Sequence, residues 1–420
     1  MKRSSTSSKK SRIGLALAGG GPLGAIYEIG ALCALDESLE GLSFTRLHHY
    51  VGVSAGGFIA AGLANGMTPR ELCTAFIAKD HGASEVFDPA WLTVPAYGEF
   101  LRRSVRLPGL AVSALWRATF GGKSLLNAAE ALGPALPTGI FSNEEIDARL
   151  TRLFSKPGRT NDFRQLRTKL TLVATNLDSG DAAPFGQPGW DHVPISKAVQ
   201  ASSALPGLFP PVEIDDQYFV DGALKKTMHA GVAMDDGIDL MFCLNPLVPF
   251  NATRPSALAM NQRGMRRGLP LGKQAIPRIV DGGLPAVLSQ TFRAMIHSRL
   301  ELGMKHYEHA YPDTDIVLLE PDHRDAEMFM ANTFSYGQRR QMAEHAYQQT
   351  RHMLRSRKTT LAAKLARHGV SLNMAALDDP RRHLLAARST ATGLGRAIAS
   401  LEEVMEDLNH TIAPGLRAHA

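Results

Sequence analysis

Short apolar runs separated by amphipathic stretches set the rhythm of the first quarter of the chain. Ile13 to Ala18 is continuously apolar, the pattern of a parallel strand buried on both faces. It runs into Gly19-Gly20-Gly21-Pro22-Leu23-Gly24. From Ala25 to Leu39, the residues Ile26, Ile29, Leu32, Cys33 and Leu35 recur at helical spacing and make one apolar face. Leu47 to Val53 reads as a second strand. Ala55 to Asn65, mostly small and uncharged, reads as a helix packed close to a sheet. Strand, turn, helix, strand, turn, helix is a βαβα order, which predicts an α/β fold with a mainly parallel sheet.

The pattern continues with less regularity. A helix is expected from Pro69 to about His81. Phe87 to about Leu136 is irregular, rich in aromatics, and holds Arg102, Arg103, Arg106 and Arg117. An ordinary helical insertion with solvated arginines is preferred there over a lid or membrane-facing surface. Ser142, with Glu145 three residues on, predicts the cap of a helix running to Phe154. Further strands are expected at Lys169 to Asn176, Phe209 to Ile214 (an edge strand), Tyr218 to Asp221, Asp239 to Asn245 and Ile316 to Glu320. Helices are expected at Ile195 to Ser203 and Leu284 to His309. Asn251 to Gly283 is an Arg/Gly/Pro-rich excursion of lid-like character. Beyond Arg339 the chain turns charged and helix-like, over Arg339 to His368 and Asp378 to Leu408. The basic run from Arg351 to Arg367 is expected to be a solvated face, with docking, self-association or contact with anionic lipid as alternatives. This divides the chain into a disordered basic arm (1–12), one domain (13–325, with its motifs in 13–235) and a C-terminal helical extension (326–420).

Composition narrows the class. The 420 residues are 44% hydrophobic and 20% charged, as in a globular protein. The net charge of +6 is modest for this length and mildly favours an anionic membrane surface or acidic substrate. The Lys and Arg are scattered without interleaved aromatics, so no nucleic-acid partner is expected. Cys33, Cys73 and Cys243 are odd in number, far apart and in apolar segments, which predicts buried thiols in a reducing compartment. The apolar run after the basic start is six residues, too short for a signal peptide. The uncharged run from Tyr50 to Pro69 is interrupted by glycines and polar residues, so no transmembrane helix is expected. A cytoplasmic protein, with peripheral membrane contact as an option, is the expectation. No His, Cys or acidic residues have metal-ligand spacing, so no metal and no cofactor are expected.

Three short motifs carry candidate chemistry. Gly52-Val53-Ser54-Ala55-Gly56 has the Gly-x-Ser-x-Gly spacing of a nucleophile elbow. There a serine stands on a strained strand-to-helix turn and side chains at the flanking glycines would clash. Gly19-x-Gly21-x-x-Gly24 admits a dinucleotide-binding turn or an oxyanion hole. The first needs an acid at the end of the second strand, and that strand ends in Gly52-Val53-Ser54 without one. The second uses backbone N–H groups at a helix N-terminus, favoured here by the serine elbow that follows. Asp221 ends an apolar strand just before Gly222, where α/β folds place catalytic groups. An ordinary Asp-Gly turn is the alternative. His48, His49 and His229 are read as structural or surface residues.

Taken together and in order, these blocks resemble the patatin-like phospholipase family. Gly19-Gly20-Gly21-Pro22-Leu23-Gly24 is similar to its oxyanion loop, Gly52-Val53-Ser54-Ala55-Gly56 to its elbow, and Asp221-Gly222-Ala223 to its Asp-Gly-Gly/Ala motif. Ala201 to Pro211 resembles the segment that leads to the family's aspartate. The likeness covers roughly Ile13 to Ala233. It implies a three-layer α/β/α fold and a Ser-Asp dyad without histidine. Ser54 would be the nucleophile and Asp221 the general base, with Gly19, Gly20 and Gly21 at the oxyanion hole and the Ala55 N–H as an additional donor. The substrate implied is an ester of a phospholipid or related lipid. A thioesterase or acyltransferase on the same dyad, and a non-catalytic peripheral membrane protein, are the competing expectations. Leu23 stands where the family often has Arg or Lys, which bears on headgroup preference and rate rather than on reaction class.

Overall fold

Strand β1 (Ile13–Leu17) is buried along its whole length because its two faces meet different helical layers. Leu15 and Leu17 face one core cluster; Ala16 and Ala18 face another. The computed structural model describes residues 10–77, 92–105, 108–109, 133–251, 278–330 and 336–385. Arg12, just before β1, is tied to the body through Asp239 and the Asp236 carbonyl.

The chain continues through α1 (Gly21–Ser38), β2 (Leu39–Glu40), β3 (His49–Val53), α2 (Ala55–Ala64), α3 (Pro69–Phe76) and α4 (Tyr97–Ser104). Then follow α5 (Glu144–Phe154), β4 (Lys169–Asn176), β5 (Ala182–Phe185), α6 (Ile195–Ser202), β6 (Val212–Ile214), β7 (Gln217–Asp221), α7 (Gly231–Met234) and β8 (Leu240–Leu244). The last part comprises α8 (Gly283–Ala310), β9 (Asp315–Leu319), α9 (Ala326–Met330), α10 (Tyr336–Ser356), α11 (Lys358–Ala366), β10 (Ser371–Leu372) and α12 (Met374–Asp378).

The main sheet has the order β6-β7-β4-β3-β1-β8-β9, with β5 pairing β4 off that path. Strands β4, β3, β1, β8 and β9 are parallel. The β6–β7 hairpin joins β4 antiparallel. The larger core cluster packs α1, α2, α3, α5, α6 and α10 on one face. The smaller packs α7 and α8 on the other. This is the α/β/α layering with a mainly parallel sheet expected from the sequence.

Several boundaries moved for physical reasons. The edge strand starts at Val212 rather than Phe209, because Pro210 and Pro211 have no N–H to donate. Helix α5 starts at Glu144 with Asn143 at its N-cap, one residue later than the expected Ser142 cap. The Asn143 amide is used for tertiary contacts instead, with the Pro210 carbonyl and Gln200. β5 and the two-residue β2–β10 ladder carried no sequence pattern of their own. Residues 78–81 of the helix expected after Pro69, most of the 87–136 region including Arg106 and Arg117, residues 252–277 of the lid-like excursion, 1–9 of the arm and 386–408 of the final helix lie outside the described residues.

The expectation of a solvated basic face on 351–367 holds for Arg357, Lys358 and Arg367, which are exposed, and is corrected for Arg351. Arg351 is buried and donates to the carbonyls of Ala376, Leu377 and Asp379 at 2.7–3.1 Å. Its fork of five donors closes carbonyls that a short helix end leaves open. Arg355 reaches Leu377 O, Lys364 reaches Ile316 O, and Arg367 pairs with Asp315. Helix α10 itself crosses α1 closely at Gly30, where a Cβ would stand 2.5 Å from the Ala343 carbonyl oxygen and 3.0 Å from the Ala346 Cβ. Gly30→Ala is therefore expected to force these helices apart and cost about 1–3 kcal/mol. Denaturant unfolding of the two proteins measures this, and equal stability would contradict the packing described.

Candidate functional site

Sheet register brings the two motif residues level. Val53 of β3 pairs with Val173 of β4, and the next residue of β4, Ala174, pairs with Asp221 of β7. Ser54, the first residue beyond β3, therefore lies in the same cross-sheet row as Asp221. The Ser54 hydroxyl donates a hydrogen bond to the Asp221 carboxylate.

The turn that presents Ser54 is strained. Ser54 has φ 52° and ψ −123°, a region costly for a residue with a Cβ. Helix α2 starts at the next residue, so strand and helix fold back on each other. A Cβ on Gly52 would lie 2.7 Å from the Gly57 Cα, and one on Gly56 would lie 2.6 Å from the Ala18 carbonyl oxygen. Both positions need glycine for want of space, as the spacing predicts. Ser54 and Asp221 are both buried, at 6% and 3% exposed.

The glycine loop lies against this pair. A Cβ on Gly19 would stand 3.0 Å from the Ser54 Cβ, 3.6 Å from its Oγ and 3.4 Å from the Ala223 Cβ. Gly21, the first residue of α1, is at φ +58° with open space around it, while Gly20 and Gly24 press on Pro246. The Gly24 N–H closes the first helical bond onto the Gly20 carbonyl at 3.0 Å. Among the described residues, the N–H groups of Gly19, Gly20 and Gly21 donate to no protein acceptor. Leu23 packs into the core and shares a small pocket with Val248, Phe250 and Arg293.

Asp221 is unusual electrostatically. Burial pushes its carboxyl up to about 6, against the lowering effect of the hydrogen bonds from the Ser54 hydroxyl and the Ala223 N–H. The latter is 2.8 Å long. Gly222 follows directly, wedged so tightly under β3 and β4 that a Cβ would overlap the Val173 carbonyl. His229 is buried and donates from Nε2 to the Gly222 carbonyl at 3.2 Å, and burial lowers its pKa to about 4. It is a neutral support behind the Asp221 turn. His48 accepts from the Ile13 N–H and His49 bonds Asp236 and Thr171, both in structural roles. No group of three His, Cys, Asp or Glu side chains among the described residues could hold a metal ion.

One residue was missed. Ser202, the last residue of α6, accepts from the Ser54 N–H at 2.8 Å and donates to the Val173 carbonyl at 2.6 Å. It clamps the strained turn to β4. Its only sequence signal is membership in the Ala201 to Pro211 segment, which does not say which serine points inward.

Two expectations follow. An unfolded aspartate titrates near 3.9, so Asp221 holds its proton more tightly when folded. Below about pH 4 both states are protonated and nothing is lost. As pH rises from about 4 to 6 the unfolded state ionises while folded Asp221 stays protonated, so the folded state becomes progressively disfavoured, and the cost levels off above pH 6 at on the order of 2–3 kcal/mol. Asp221→Asn should remove that cost and be more stable than wild type at pH 7, with the gap closing toward pH 4. Thermal unfolding at several pH values tests the sign. Ser202→Ala should leave the buried Ser54 N–H without its acceptor and cost about 1–3 kcal/mol, which denaturant unfolding measures.

A family model described as patatin-like phospholipase matches residues 15–234. VipD from Legionella pneumophila is similar in structure, with 17% identity, 83% of this chain and 67% of VipD covered, and a TM-score of 0.36. The type III effector protein ExoU is similar at 16% identity over 83% of this chain, with a TM-score of 0.32; the chain spans about half of ExoU's length, 53%. The family match extends over more than half of the 420 residues and takes in the glycine loop, the Ser54 turn and Asp221 alike, and on that ground the chain belongs to the patatin-like phospholipase family.

Proposed function

We propose that this protein hydrolyses acyl ester bonds of phospholipids or related lipids through an acyl-enzyme on Ser54. Family membership supports lipid acyl hydrolysis in general. The observation that carries the residue assignment is the hydrogen bond from the strained Ser54 to a buried Asp221 whose carboxyl is raised to about 6.

An ordinary carboxylate is a weak base toward a serine hydroxyl. Raising the Asp221 carboxyl to about 6 improves it while leaving it ionised near pH 7. In this reading Asp221 takes the Ser54 proton as Oγ attacks the ester carbonyl. Negative charge develops on the carbonyl oxygen, and the unengaged N–H groups of Gly19, Gly20 and Gly21, with Ala55 at the start of α2, receive it. Collapse expels the alcohol, which takes the proton from Asp221. Water then attacks the acyl-enzyme, giving its proton to Asp221, and the free acid leaves as Ser54 recovers its hydrogen. The Ser54 Oγ lies beside the glycine loop, 3.6 Å from where a Cβ on Gly19 would stand.

Labelling with a small fluorophosphonate probe tests this. Wild type should label, Ser54→Ala should not, and Asp221→Asn should label at least about 100-fold more slowly, the scale of general-base assistance. The labelling rate should rise with pH around a midpoint near 6, because only ionised Asp221 accepts the proton. Equal labelling of Ser54→Ala and wild type would defeat the assignment. Transfer of the acyl group to an added alcohol in preference to water would redirect it to acyl transfer on the same pair.

A further inference from the structure

The first half of α8 is turned inside out. Leu284, Leu288, Thr291 and Met295 follow one another at i, i+4, i+7 and i+11, a single helix face, and all four are exposed, Leu284 at 70%. Val287 and Phe292 flank the stripe and are exposed as well. The opposite face meets the body with polar groups. Gln290 holds both the N–H and the carbonyl of Phe250, at 3.1 and 2.9 Å. Arg293 reaches the Val248 carbonyl at 3.4 Å and lies over the Phe329 ring, and His297 is buried. The inward face turns apolar only at Ile296 and Leu300. No charged side chain occurs from Gly282 to Phe292. A helix on a water-facing surface has the reverse arrangement, and a contiguous exposed apolar stripe marks a contact.

Its place in the fold says what kind. Val248 and Phe250 continue past the C-terminal end of β8, the same end of the parallel sheet at which Ser54 stands. Thr227 and Leu224, just beyond Asp221, bond to Ile296 and Arg299 of α8. On the other flank, α4 exposes Tyr97 and Leu101, and Val105 just past its end is exposed as well. That helix borders a cleft of about 490 Å³ shared with Leu177, the first residue past β4, and with Tyr218 of the β6–β7 hairpin. Apolar stripes thus stand on both sides of the strand ends that bear Ser54 and Asp221. Arg102 on α4 and Lys226 next to the Asp221 turn are exposed at the same end, as are the acids Asp178, Asp181 and Glu213, of which Asp181 pairs with Lys225.

We propose that the α8 and α4 stripes together form a docking face that seats this end of the molecule on a phospholipid surface. The inference rests on the reading of the protein as a lipid acyl hydrolase and names how it meets its substrate. A fluid surface can meet two separate helix faces at once, and exposed Arg102 and Lys226 can contact headgroup phosphates. Helices of this kind bury their apolar face about 5–10 Å into the headgroup–acyl boundary, the depth at which lipid ester bonds lie.

The test uses the full chain carrying Ser54→Ala, so that vesicles are not consumed and binding is read whether or not the hydrolase reading holds. Sedimentation with mixed phosphatidylcholine–phosphatidylglycerol vesicles should show partitioning of this parent. Adding Leu284→Asp and Leu288→Asp on α8, or Tyr97→Asp and Leu101→Asp on α4, should weaken it at least tenfold. The serine versions, Leu284→Ser and Leu288→Ser, should weaken it in the same direction if the aspartates disturb folding. With Ser54 restored, the same variants should label with the soluble fluorophosphonate within twofold of wild type. A parent that does not partition, or variants that partition like it, would overturn the proposal. So would a dimer broken by these variants in sedimentation velocity with vesicle binding unchanged. Absence of labelling in wild type would instead count against Ser54 as the nucleophile and leave the vesicle result standing.

Discussion

One antiparallel strand in a parallel sheet determines where the candidate chemistry sits. A parallel neighbour of β4 would present its last residue at the same edge as β4 and run on into a crossover. The β6–β7 hairpin instead comes down antiparallel from above the sheet end, and Phe219 to Asp221 descend along β4 from Asn176 to Ala174. Asp221 is thereby delivered, at the end of its strand, to the row in which Ser54 leaves β3. Gly222 follows because the turn out of β7 passes directly beneath Val53 and the Val173 carbonyl, where no Cβ fits. The crowding around Gly19, Gly52 and Gly56 has the same origin: three backbone turns converge on one point, and side chains would hold them apart.

That convergence places Asp221 out of water, and most of the site's character follows from it. Burial disfavours the charged carboxylate, while the Ser54 hydroxyl and the Ala223 N–H favour it. The balance leaves a base stronger than a solvated aspartate, obtained at a cost in folding stability. Supporting groups reinforce the geometry without touching the Ser54 hydroxyl or the Asp221 carboxyl. Ser202 ties the strained Ser54 backbone to β4, and neutral His229 braces the Gly222 carbonyl. Strain at the turn persists because these neighbours over-determine it.

The outer elements relate to this centre in two ways. α10, by its close crossing with α1 at Gly30 and the buried Arg351, becomes part of the main core and stiffens the helix that begins at the glycine loop. α8 behaves differently along its length. Its second half, around Leu300 and Tyr307, closes the second core cluster, while its first half turns apolar residues outward beside the strand ends.

Much of this was readable from the chain alone. The continuous apolar run at Ile13 to Ala18, the glycines at fixed offsets and the serine between Gly52 and Gly56 determine a βαβα start and a strained serine turn, because those constraints are local: a buried strand has no polar face, and a tight backbone approach admits no Cβ. Tertiary structure alone decided the rest. Whether Asp221 is a turn residue or a partner of Ser54 depends on strand register, which a single acid before a glycine does not encode. The inward serine of Ala201 to Pro211 depends on which residue of α6 reaches β4. The solvated reading of Arg351 failed because charge patterning cannot see the open carbonyls of α12 that the guanidinium closes. The stripe on α8 looks in sequence like any core-facing helix, since periodicity reports that one face is apolar but not which way that face points.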